Sequence, residues 1–459
     1  MSRRVRLNPC DFLFWGQHKM NARRGEGGNV AFMLMDLEGT IEPSWMKAAF
    51  GATLREYPVT LGRFGSTLIL GRPYWEVPAD IGAAAKAAAD SAYRHEDLRS
   101  SADWSKALAD RSAIGNTRDW PIKRGPLVRL EHYTLPENRT RLIIRWPHML
   151  MDAEGAQWFL SELHRCGTGE KSSAARPAAI SHDDRAIDPL RDYGLLQRCG
   201  LFKRGSGYQR TNAQWKLANL PLPKAAGEIE HRNIHRNWSA DETLRMQAAA
   251  KASAPKGPLL YARHLAASVV RAMHRIYLRE NAYTEAYLIT LPMRVGASSP
   301  ADQLFKSRPL TGNYLISPMI CIPSVAADDK RAIGEAILSQ LSDYHAQRGD
   351  LLQWTMMWAA SLIHAWVYEA IFLLPLGGGK FSTGFSFYGE IDPPVRQMGN
   401  AKVVNLWGGG PNTNPPALNP VFSRFGDRLN FTLTYTWPVV SDELAAAYMA
   451  CIDEEIFTA

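Results

Sequence analysis

The sequence has few cysteines, and they are far apart. Five cysteines occur among 459 residues, at positions 10, 166, 199, 321 and 451. They form neither a CxxC pair nor a regular framework, which argues against a fold stabilised by disulfides. We therefore expect the protein to work in a reducing compartment.

The chain also lacks a strong excess of one charge. Lys and Arg number 53 against 45 Asp and Glu, which leaves a net charge of +8. The densest basic runs, at residues 3–6 and 23–24, do not alternate with aromatic residues as in a strand-binding groove. We expect no nucleic-acid partner. The remaining basicity suits an anionic partner as well as an ordinary solvated face.

Segments that would carry the chain through a membrane are scarce. Residues 1–14 lack an apolar core of signal-peptide length, so we expect a cytoplasmic protein. Residues 354–376 are apolar and about long enough to span a bilayer, but they contain His364 and Glu369. We interpret this segment as a buried helix, and we leave peripheral membrane contact open.

The composition is that of a folded protein with a large core. Hydrophobic residues make up 46% and charged residues 21%, and no periodic repeat is visible. Segments with strand and helix patterns follow one another from residue 29 to residue 163 and again from residue 234 to the end. Between these halves, residues 171–230 have no sustained period, which predicts a crossover linker.

The clearest local pattern lies between a strand and a helix. Residues 127–135 and 141–146 read as two antiparallel strands around the turn at 136–138. Apolar positions at 156–163 then trace one face of a helix. The residues between the second strand and this helix include His148 and Asp152, in an HxxxD arrangement.

A histidine in this position is suited to general-base chemistry. Neutral imidazole accepts a proton from a hydroxyl or an amine near pH 7 when one ring nitrogen is held and the other is free. Asp152 would restrain the loop, either through a salt bridge or by capping the following helix. A lone HxxxD is weak support, because a histidine beside an apolar strand is more often simply packed.

Several segments around the motif resemble one enzyme superfamily. Residues 124–129 (RGPLVR), the strand and the HxxxD motif lie within the stretch 120–163. Residues 291–294 (LPMR) and 311–313 (TGN) are similar to P-x-x-R and G-N elements. Together they resemble the condensation-domain and chloramphenicol-acetyltransferase-like superfamily, whose members carry HHxxxDG. The order and spacing of these segments agree with that superfamily over most of the chain.

The resemblance extends to both ends and implies a fold. Residues 11–15 (DFLFW) are similar to the opening segment of wax ester synthases, and residues 386–389 (SFYG) fall where many acyltransferases have an S-N-x-G turn. The implied fold is α/β (α+β), with two chloramphenicol-acetyltransferase-like lobes, each a mixed sheet flanked by helices, and an active-site channel between them. We expect lobes at 1–170 and 231–459, joined by the linker at 171–230.

The resemblance also implies roles for individual residues. His148 matches the second histidine of the motif and is expected to be the general base. Asp152 and Arg294 are expected to support the active site by pairing across the lobes. Three further residues are expected to line the substrate channel: Asn313, Ser386 and Tyr388.

Three positions depart from the superfamily's pattern. Pro147 replaces the first histidine, which normally has a supporting role. Ala153 replaces the usual glycine and lacks glycine's freedom at positive φ, so we expect a different loop path. Phe387 replaces an asparagine, which removes a polar contact near the reacting carbonyl.

The implied activity is acyl transfer from a thioester to a hydroxyl group of a small-molecule acceptor. The donor would be acyl-CoA or acyl-phosphopantetheine on an acyl or peptidyl carrier protein, and no other cofactor is expected. A free-standing enzyme that forms an amide is one alternative. A catalytically idle relative that binds an acyl chain or a carrier protein is another, and Pro147 and Phe387 favour it.

Other candidate sites in the sequence are weaker. His231 and His235 have a spacing that suits a metal on a helix, but their surroundings read as a loop entering a strand. Residues 377–379 and 408–410 are glycine runs outside any phosphate-loop pattern, and we interpret them as flexible connections. Ser386 has no G-x-S-x-G frame, which argues against a hydrolase nucleophile.

Overall fold

A computed structural model of the protein describes most of the chain. The described residues are 2–23, 25, 27–67, 72–112, 120, 122–170, 188–212, 215, 217, 229–253, 257–295, 312–363, 382–391, 396–413 and 416–459. The helices within them are α1 (Pro9–Arg23), α2 (Pro43–Glu56), α3 (Ile81–Ala92), α4 (Trp104–Ser112), α5 (Ala153–Thr168), α6 (Leu195–Asn212), α7 (Ala240–Ser253), α8 (Leu260–Arg279), α9 (Lys330–Ala346), α10 (Gly349–Ala360) and α11 (Asp442–Glu455).

The strands are short except in the two main sheets. In chain order they are β1 (Arg3–Arg6), β2 (Val30–Glu38), β3 (Arg63–Ser66), β4 (Pro73–Val77), β5 (Tyr93–Asp97), β6 (Arg129–Leu135), β7 (Arg139–Pro147), β8 (Glu230–Trp238), β9 (Ala286–Thr290), β10 (Met293–Arg294), β11 (Leu315–Ile316), β12 (Met319–Pro323), β13 (Ser386–Glu390), β14 (Gln397–Met398), β15 (Ala401–Gly409), β16 (Leu418–Phe425) and β17 (Arg428–Trp437). Single 3₁₀ turns occur at Pro58–Leu61 and Ser324–Ala326.

A six-stranded mixed sheet lies at the centre of the first half. Its strand order is β14-β15-β2-β7-β6-β5, and only the β5–β6 pair is parallel. β2 begins with six buried residues in succession, as expected for a strand that is covered on both faces. The helices α2 and α5 supply Phe50 and Phe159 to the core beside it, and both side chains are almost fully buried.

The predicted antiparallel pair before the HxxxD motif is confirmed. β6 and β7 pair from Arg129 opposite Arg145 to Leu135 opposite Arg139. Glu137 and Asn138, between the strands, both have positive φ, at 59° and 54°. Two successive residues with positive φ turn the chain tightly in the sense that matches the twist of the strands.

A second mixed sheet organises the other half. Its order is β13-β16-β17-β8, with β13 parallel to β16 and the other pairs antiparallel. The helices α8 and α11 pack against it in a separate hydrophobic core that includes Val269, Tyr448 and Phe431. The predicted fold, two mixed sheets flanked by helices, is therefore confirmed.

One strand from the second half of the sequence extends the first sheet. β15 pairs antiparallel with β2, from Lys402 opposite Glu38 to Gly409 opposite Phe32. The glycines here were expected to be a flexible connection, and that prediction was wrong for Gly408 and Gly409. A Cβ atom at Gly408 would lie 2.7 Å from the Phe32 carbonyl oxygen, so glycine allows the strands to approach. The lobe boundaries remain a prediction.

Other expectations are corrected or fall outside the described residues. β11 and β12 are separated by Pro318, which has no N–H to donate to a ladder. The segment expected to be a linker contains the helix α6. In the apolar segment 354–376, the residues up to Ala360 belong to α10, and residues 364–381, with His364 and Glu369, lie outside the described residues. In the described part of the chain, no helix is long and apolar enough to cross a membrane.

Two buried asparagines join the two main sheets. The Asn405 side-chain Nδ2 donates to Asn430 Oδ1, and Asn430 Nδ2 donates back to Asn405 Oδ1, each at 3.0 Å. Asn405 lies on β15, next to an irregularity in its pairing with β2, and Asn430 lies on β17. Asn430 Oδ1 also accepts from Asn237 Nδ2 at 2.9 Å, and Asn405 Oδ1 also accepts from the Leu406 backbone N–H at 3.0 Å. Since both side chains are at least 95% buried, the loss of either one leaves a polar group of the other short of a partner.

We predict that Asn430→Ala lowers the free energy of unfolding by ~2–3 kcal/mol, because the buried Asn405 Nδ2 loses its acceptor. Denaturant unfolding monitored by tryptophan fluorescence measures this change. The double variant Asn405→Ala with Asn430→Ala serves as the control, and its loss should be smaller than the sum of the single losses. Strictly additive losses would show that the two side chains act independently.

Candidate active site

The HxxxD loop is short and is held at both of its ends. β7 ends at Pro147, which pairs with Val30, and the next backbone N–H, that of His148, donates to the Asn29 carbonyl oxygen at 2.8 Å. The Trp146 indole N–H donates to the Met151 carbonyl oxygen at 2.8 Å. The loop therefore turns directly from the central sheet into α5.

Asp152 caps the helix that follows the loop. Its Oδ1 accepts from the Gly155 backbone N–H at 3.0 Å, and its Oδ2 accepts from the Tyr314 backbone N–H at 3.2 Å. Burial raises the pKa of Asp152, while these two hydrogen bonds act in the opposite direction. Of the two roles considered for Asp152, helix capping is the one the geometry supports.

Pro147 and Ala153, which depart from the superfamily's pattern, both fit the local backbone. Ala153 is the first residue of α5 and has no positive φ, so the backbone here does not require glycine. We expected a different loop path because alanine disfavours positive φ, but the backbone at Ala153 does not need positive φ. Pro147 is the last residue of β7 and pairs with Val30, the first residue of β2.

His148 is held through one ring nitrogen. Its Nδ1 lies 3.0 Å from Asn313 Oδ1, and the His148 carbonyl oxygen accepts from Asn313 Nδ2 at 2.7 Å. The ring stacks on Phe14, with 3.8 Å between ring centroids and 13° between planes. Among the described residues, none forms a hydrogen bond with Nε2. The side chain is half-buried, so this nitrogen is the free edge of an otherwise fixed ring.

Burial keeps the His148 ring neutral. It lowers the pKa of His148 to about 4, although hydrogen bonds with its own carbonyl oxygen and with Asn313 raise the pKa. A histidine with this pKa is almost entirely deprotonated at pH 7. The side chain is therefore ready to accept a proton.

Asn313 lies between the His148 ring and Asp11. Its side chain is completely buried, whereas we expected it to line the channel. Besides its two contacts with His148, Asn313 Nδ2 donates to Asp11 Oδ1 at 2.8 Å, and the Asn313 backbone N–H donates to the same oxygen at 2.9 Å. Asn313 thus connects His148 to the N-terminal helix.

Asp11 was not recognised as a site residue from the sequence, although it begins the DFLFW segment. Its side chain is completely buried, and its Oδ2 accepts from the Asn8 backbone N–H at 3.1 Å. Burial raises the pKa of Asp11 to about 8, against hydrogen bonds from Asn313 and Asn8 that lower it.

The predicted ion pair between Asp152 and Arg294 was wrong. Arg294 forms an ion pair with Glu154, in the first turn of α5, and Glu154 is more exposed than Asp152. The positive charge of Arg294 still lowers the pKa of Asp152. The difference arises because the Asp152 oxygens already accept from backbone N–H groups, whereas Glu154, two residues further along in the same turn, reaches Arg294.

The other two expected channel residues lie on β13. Ser386 pairs with Val421 on the parallel strand β16, and Tyr388 lies two residues further on. Burial raises the pKa of Tyr388, and the negative charge of Asp152 raises it further, so the hydroxyl remains protonated and able to donate. Phe387, between them, packs against the second hydrophobic core.

The alternative metal site is not supported. His231 and His235 both lie within β8, where four residues span ~13 Å, too far for two side chains to bind one ion. In the described residues, no group of three or more His, Cys, Asp or Glu side chains is arranged to hold a metal.

No family model matches the sequence, and no curated protein is detectably similar to it. Solved structures are similar to it along almost its whole length. The first condensation domain of the calcium-dependent antibiotic synthetase, in complex with a substrate analogue, has a TM-score of 0.70 at 16% identity, over 99% of this chain and 96% of that chain. The chain has the condensation-domain fold.

Two other structures with the condensation-domain fold illustrate its range. The trichothecene 15-O-acetyltransferase of Fusarium sporotrichioides has a TM-score of 0.72 at 11% identity, over 99% of this chain and 95% of that one. The starter condensation domain of rhizomide synthetase, in complex with C8-CoA and Leu-SNAC, has a TM-score of 0.65 at 14% identity, over 99% of this chain and 94% of that chain. The fold implied by the sequence motifs is thus confirmed.

We predict that Asp152→Ala lowers the free energy of unfolding by ~2–3 kcal/mol, because the backbone N–H groups of Gly155 and Tyr314 lose a buried acceptor. Glu154→Gln is the matched comparison. It should lower the free energy by ~1 kcal/mol or less, since the ion pair with Arg294 is partly exposed. Chemical denaturation of both variants checks this. An equal loss in the two variants would mean that the ion pair holds this region as firmly as the helix cap.

Proposed function

We propose that the protein is an acyltransferase, in which His148 is the general base that moves an acyl group from a thioester to a hydroxyl acceptor. The observation that carries this proposal is the state of the His148 ring. Nδ1 is held by Asn313, and no described residue bonds Nε2. A base held in this way can accept a proton from a substrate without reorganising its surroundings.

The proposed reaction needs no covalent enzyme intermediate. Nε2 of His148 takes the proton from the acceptor hydroxyl while the hydroxyl oxygen attacks the thioester carbonyl carbon. The tetrahedral intermediate then collapses, the carbon–sulfur bond breaks, and the thiolate recovers the proton from His148. The products are an ester and a free thiol, on coenzyme A or on a carrier protein.

The surroundings of His148 favour the charge changes in this sequence. The imidazolium ion that forms during attack is stabilised by Asn313 Oδ1, which accepts a hydrogen bond from the opposite nitrogen. The Tyr388 hydroxyl, whose pKa is raised by burial, is our candidate donor to the tetrahedral oxyanion. Ser386, on the same strand, is our candidate for contact with the acyl donor.

A hydroxyl acceptor is our first choice. The DFLFW segment resembles the opening of wax ester synthases, and one of the structures with the same fold is an O-acetyltransferase. An amine acceptor is the second candidate, supported by the likeness to condensation domains. The idle alternative requires that His148 has lost its role, which the retained contacts of its ring do not favour.

We predict that His148→Ala lowers kcat by ~10²-fold or more, because the proton of the acceptor then has no positioned base. Release of free thiol from acyl-CoA, measured with and without an alcohol acceptor, follows the reaction. The exposed His345 provides the control, and His345→Ala should have the wild-type kcat. If the His148 variant retains more than about a tenth of the wild-type kcat with an unchanged melting temperature, His148 is not the base.

A further inference from the structure

We propose that Asp11 is a positioning residue that sets the tautomer of His148 through Asn313. The inference rests on the proposed function, in which Nε2 of His148 is the base. Asp11 lies in the first turn of α1, distant in sequence from the HxxxD motif, and its carboxyl group does not contact the imidazole ring. Its effect would pass entirely through one completely buried side-chain amide, that of Asn313.

The first step is the orientation of the Asn313 amide. One end of it contacts two oxygens, Asp11 Oδ1 at 2.8 Å and the His148 carbonyl oxygen at 2.7 Å. A carbonyl oxygen only accepts hydrogen bonds, and Asp11 Oδ1 already accepts from the Asn313 backbone N–H. This end must therefore be the NH₂ group. A rotated amide would place its oxygen against two acceptors.

The second step follows from the other end of the amide. Asn313 Oδ1 faces His148 Nδ1 at 3.0 Å and can only accept, so Nδ1 must carry the hydrogen atom. Neutral imidazole has one such hydrogen, which leaves Nε2 with a free lone pair. Nε2 is also the nitrogen that no described residue bonds. The chain of contacts from Asp11 thus favours the tautomer that general-base catalysis at Nε2 needs, in the same direction as the hydrogen bond of the ring with the His148 carbonyl oxygen.

The helix that carries Asp11 also fixes the plane of the ring. Phe14, one turn along α1, stacks on His148 at 3.8 Å between centroids. Asp11 itself is fixed by a reciprocal contact, in which the Asp11 backbone N–H donates to Asn8 Oδ1 at 2.8 Å and the Asn8 backbone N–H donates to Asp11 Oδ2. The start of α1 therefore controls both the orientation and the protonated nitrogen of His148.

A purely structural role for Asp11 makes a different prediction. The reciprocal contact with Asn8 would by itself stabilise the start of α1, and the bonds to Asn313 would then only join two parts of the chain. In that case the loss of Asp11 would reduce stability and leave the ring of His148 unchanged. The tautomer of His148 is thus the readout that separates the two roles.

Asp11→Asn is the decisive variant, because it keeps the size of the side chain and supplies an NH₂ group. That group can replace Asp11 Oδ1 opposite Asn313 Nδ2, which removes one of the two acceptors that hold the amide. Rotation of the amide then gives the new donor an acceptor and points an N–H at His148 Nδ1, in exchange for the bond to the His148 carbonyl oxygen. We expect ¹⁵N NMR of histidine-labelled protein to show the Nδ1–H tautomer in the wild type and a gain of Nε2–H in the variant. Comparison with His148→Ala assigns the signals. We also expect kcat to fall at least ~10-fold with KM little changed, since a catalytic base in the wrong tautomer is inactive.

Cys10→Ala is the matched control. Cys10 precedes Asp11, is equally buried, and its thiol contacts the Leu315 carbonyl oxygen at 3.3 Å. This variant disturbs the neighbouring contact of α1 with β11 but leaves the Asn313 amide in place. It should keep the Nδ1–H tautomer and a kcat within about twofold of the wild type, as expected for an independent site.

A double-variant cycle tests whether the effect passes through Asn313. In the Asn313→Ala background, Asp11→Asn should have no further effect on the tautomer or on kcat. The proposal is overturned if the folded Asp11→Asn protein keeps the wild-type tautomer, or if the wild type already carries the hydrogen on Nε2. Because the NMR measurement needs no substrate, it remains decisive even if the protein proves to have no acyltransferase activity.

Discussion

Hydrogen bonds between residues 312–314 and the HxxxD loop are the constraint on which the candidate site depends. The Asp152 backbone N–H donates to the Gly312 carbonyl oxygen, Asn313 binds both the ring and the backbone of His148, and the Tyr314 backbone N–H binds the Asp152 carboxyl group. Three consecutive residues from the second half of the chain thus bind both ends of a loop from the first half. Since these groups are largely buried, the loop cannot shift without leaving polar atoms unpaired.

The wider fold strengthens this arrangement by joining the two halves at other points. β15 belongs to the second half of the sequence but pairs with β2, whose first residue pairs with the last residue of the strand that leads to His148. The paired amides of Asn405 and Asn430 then connect β15 to the second sheet. The contact of 312–314 with the loop is therefore one of several links that hold the halves together, and the free edge of His148 lies where they meet.

Local patterns in the sequence predicted a good part of this. The strands around the turn at 136–138 and the helix after the motif depend on neighbours within a few residues, so periodicity and turn chemistry reveal them. Capping of that helix was one of two roles that the sequence left open for Asp152. The partner of Arg294 was missed because Asp152 and Glu154 lie two residues apart, and only the fold decides which one it reaches. The role of Asp11 has no local signal beyond the DFLFW resemblance, because it depends on contacts some 300 residues away. The glycines of β15 were misread because close approach of strands and loop flexibility both favour glycine.

Direct acyl transfer at His148 is the central claim, and mass spectrometry of reactions with the purified full-length protein tests it most directly. The protein would be incubated with a panel of acyl-CoA thioesters, each with a set of alcohols and amines. The account predicts an acylated alcohol and free coenzyme A, while the intact protein keeps its mass throughout turnover. A covalent acyl adduct on the protein that forms and decays at the rate of turnover would contradict direct transfer. A panel that yields no acylated product at all would contradict the assignment of the protein as an acyltransferase.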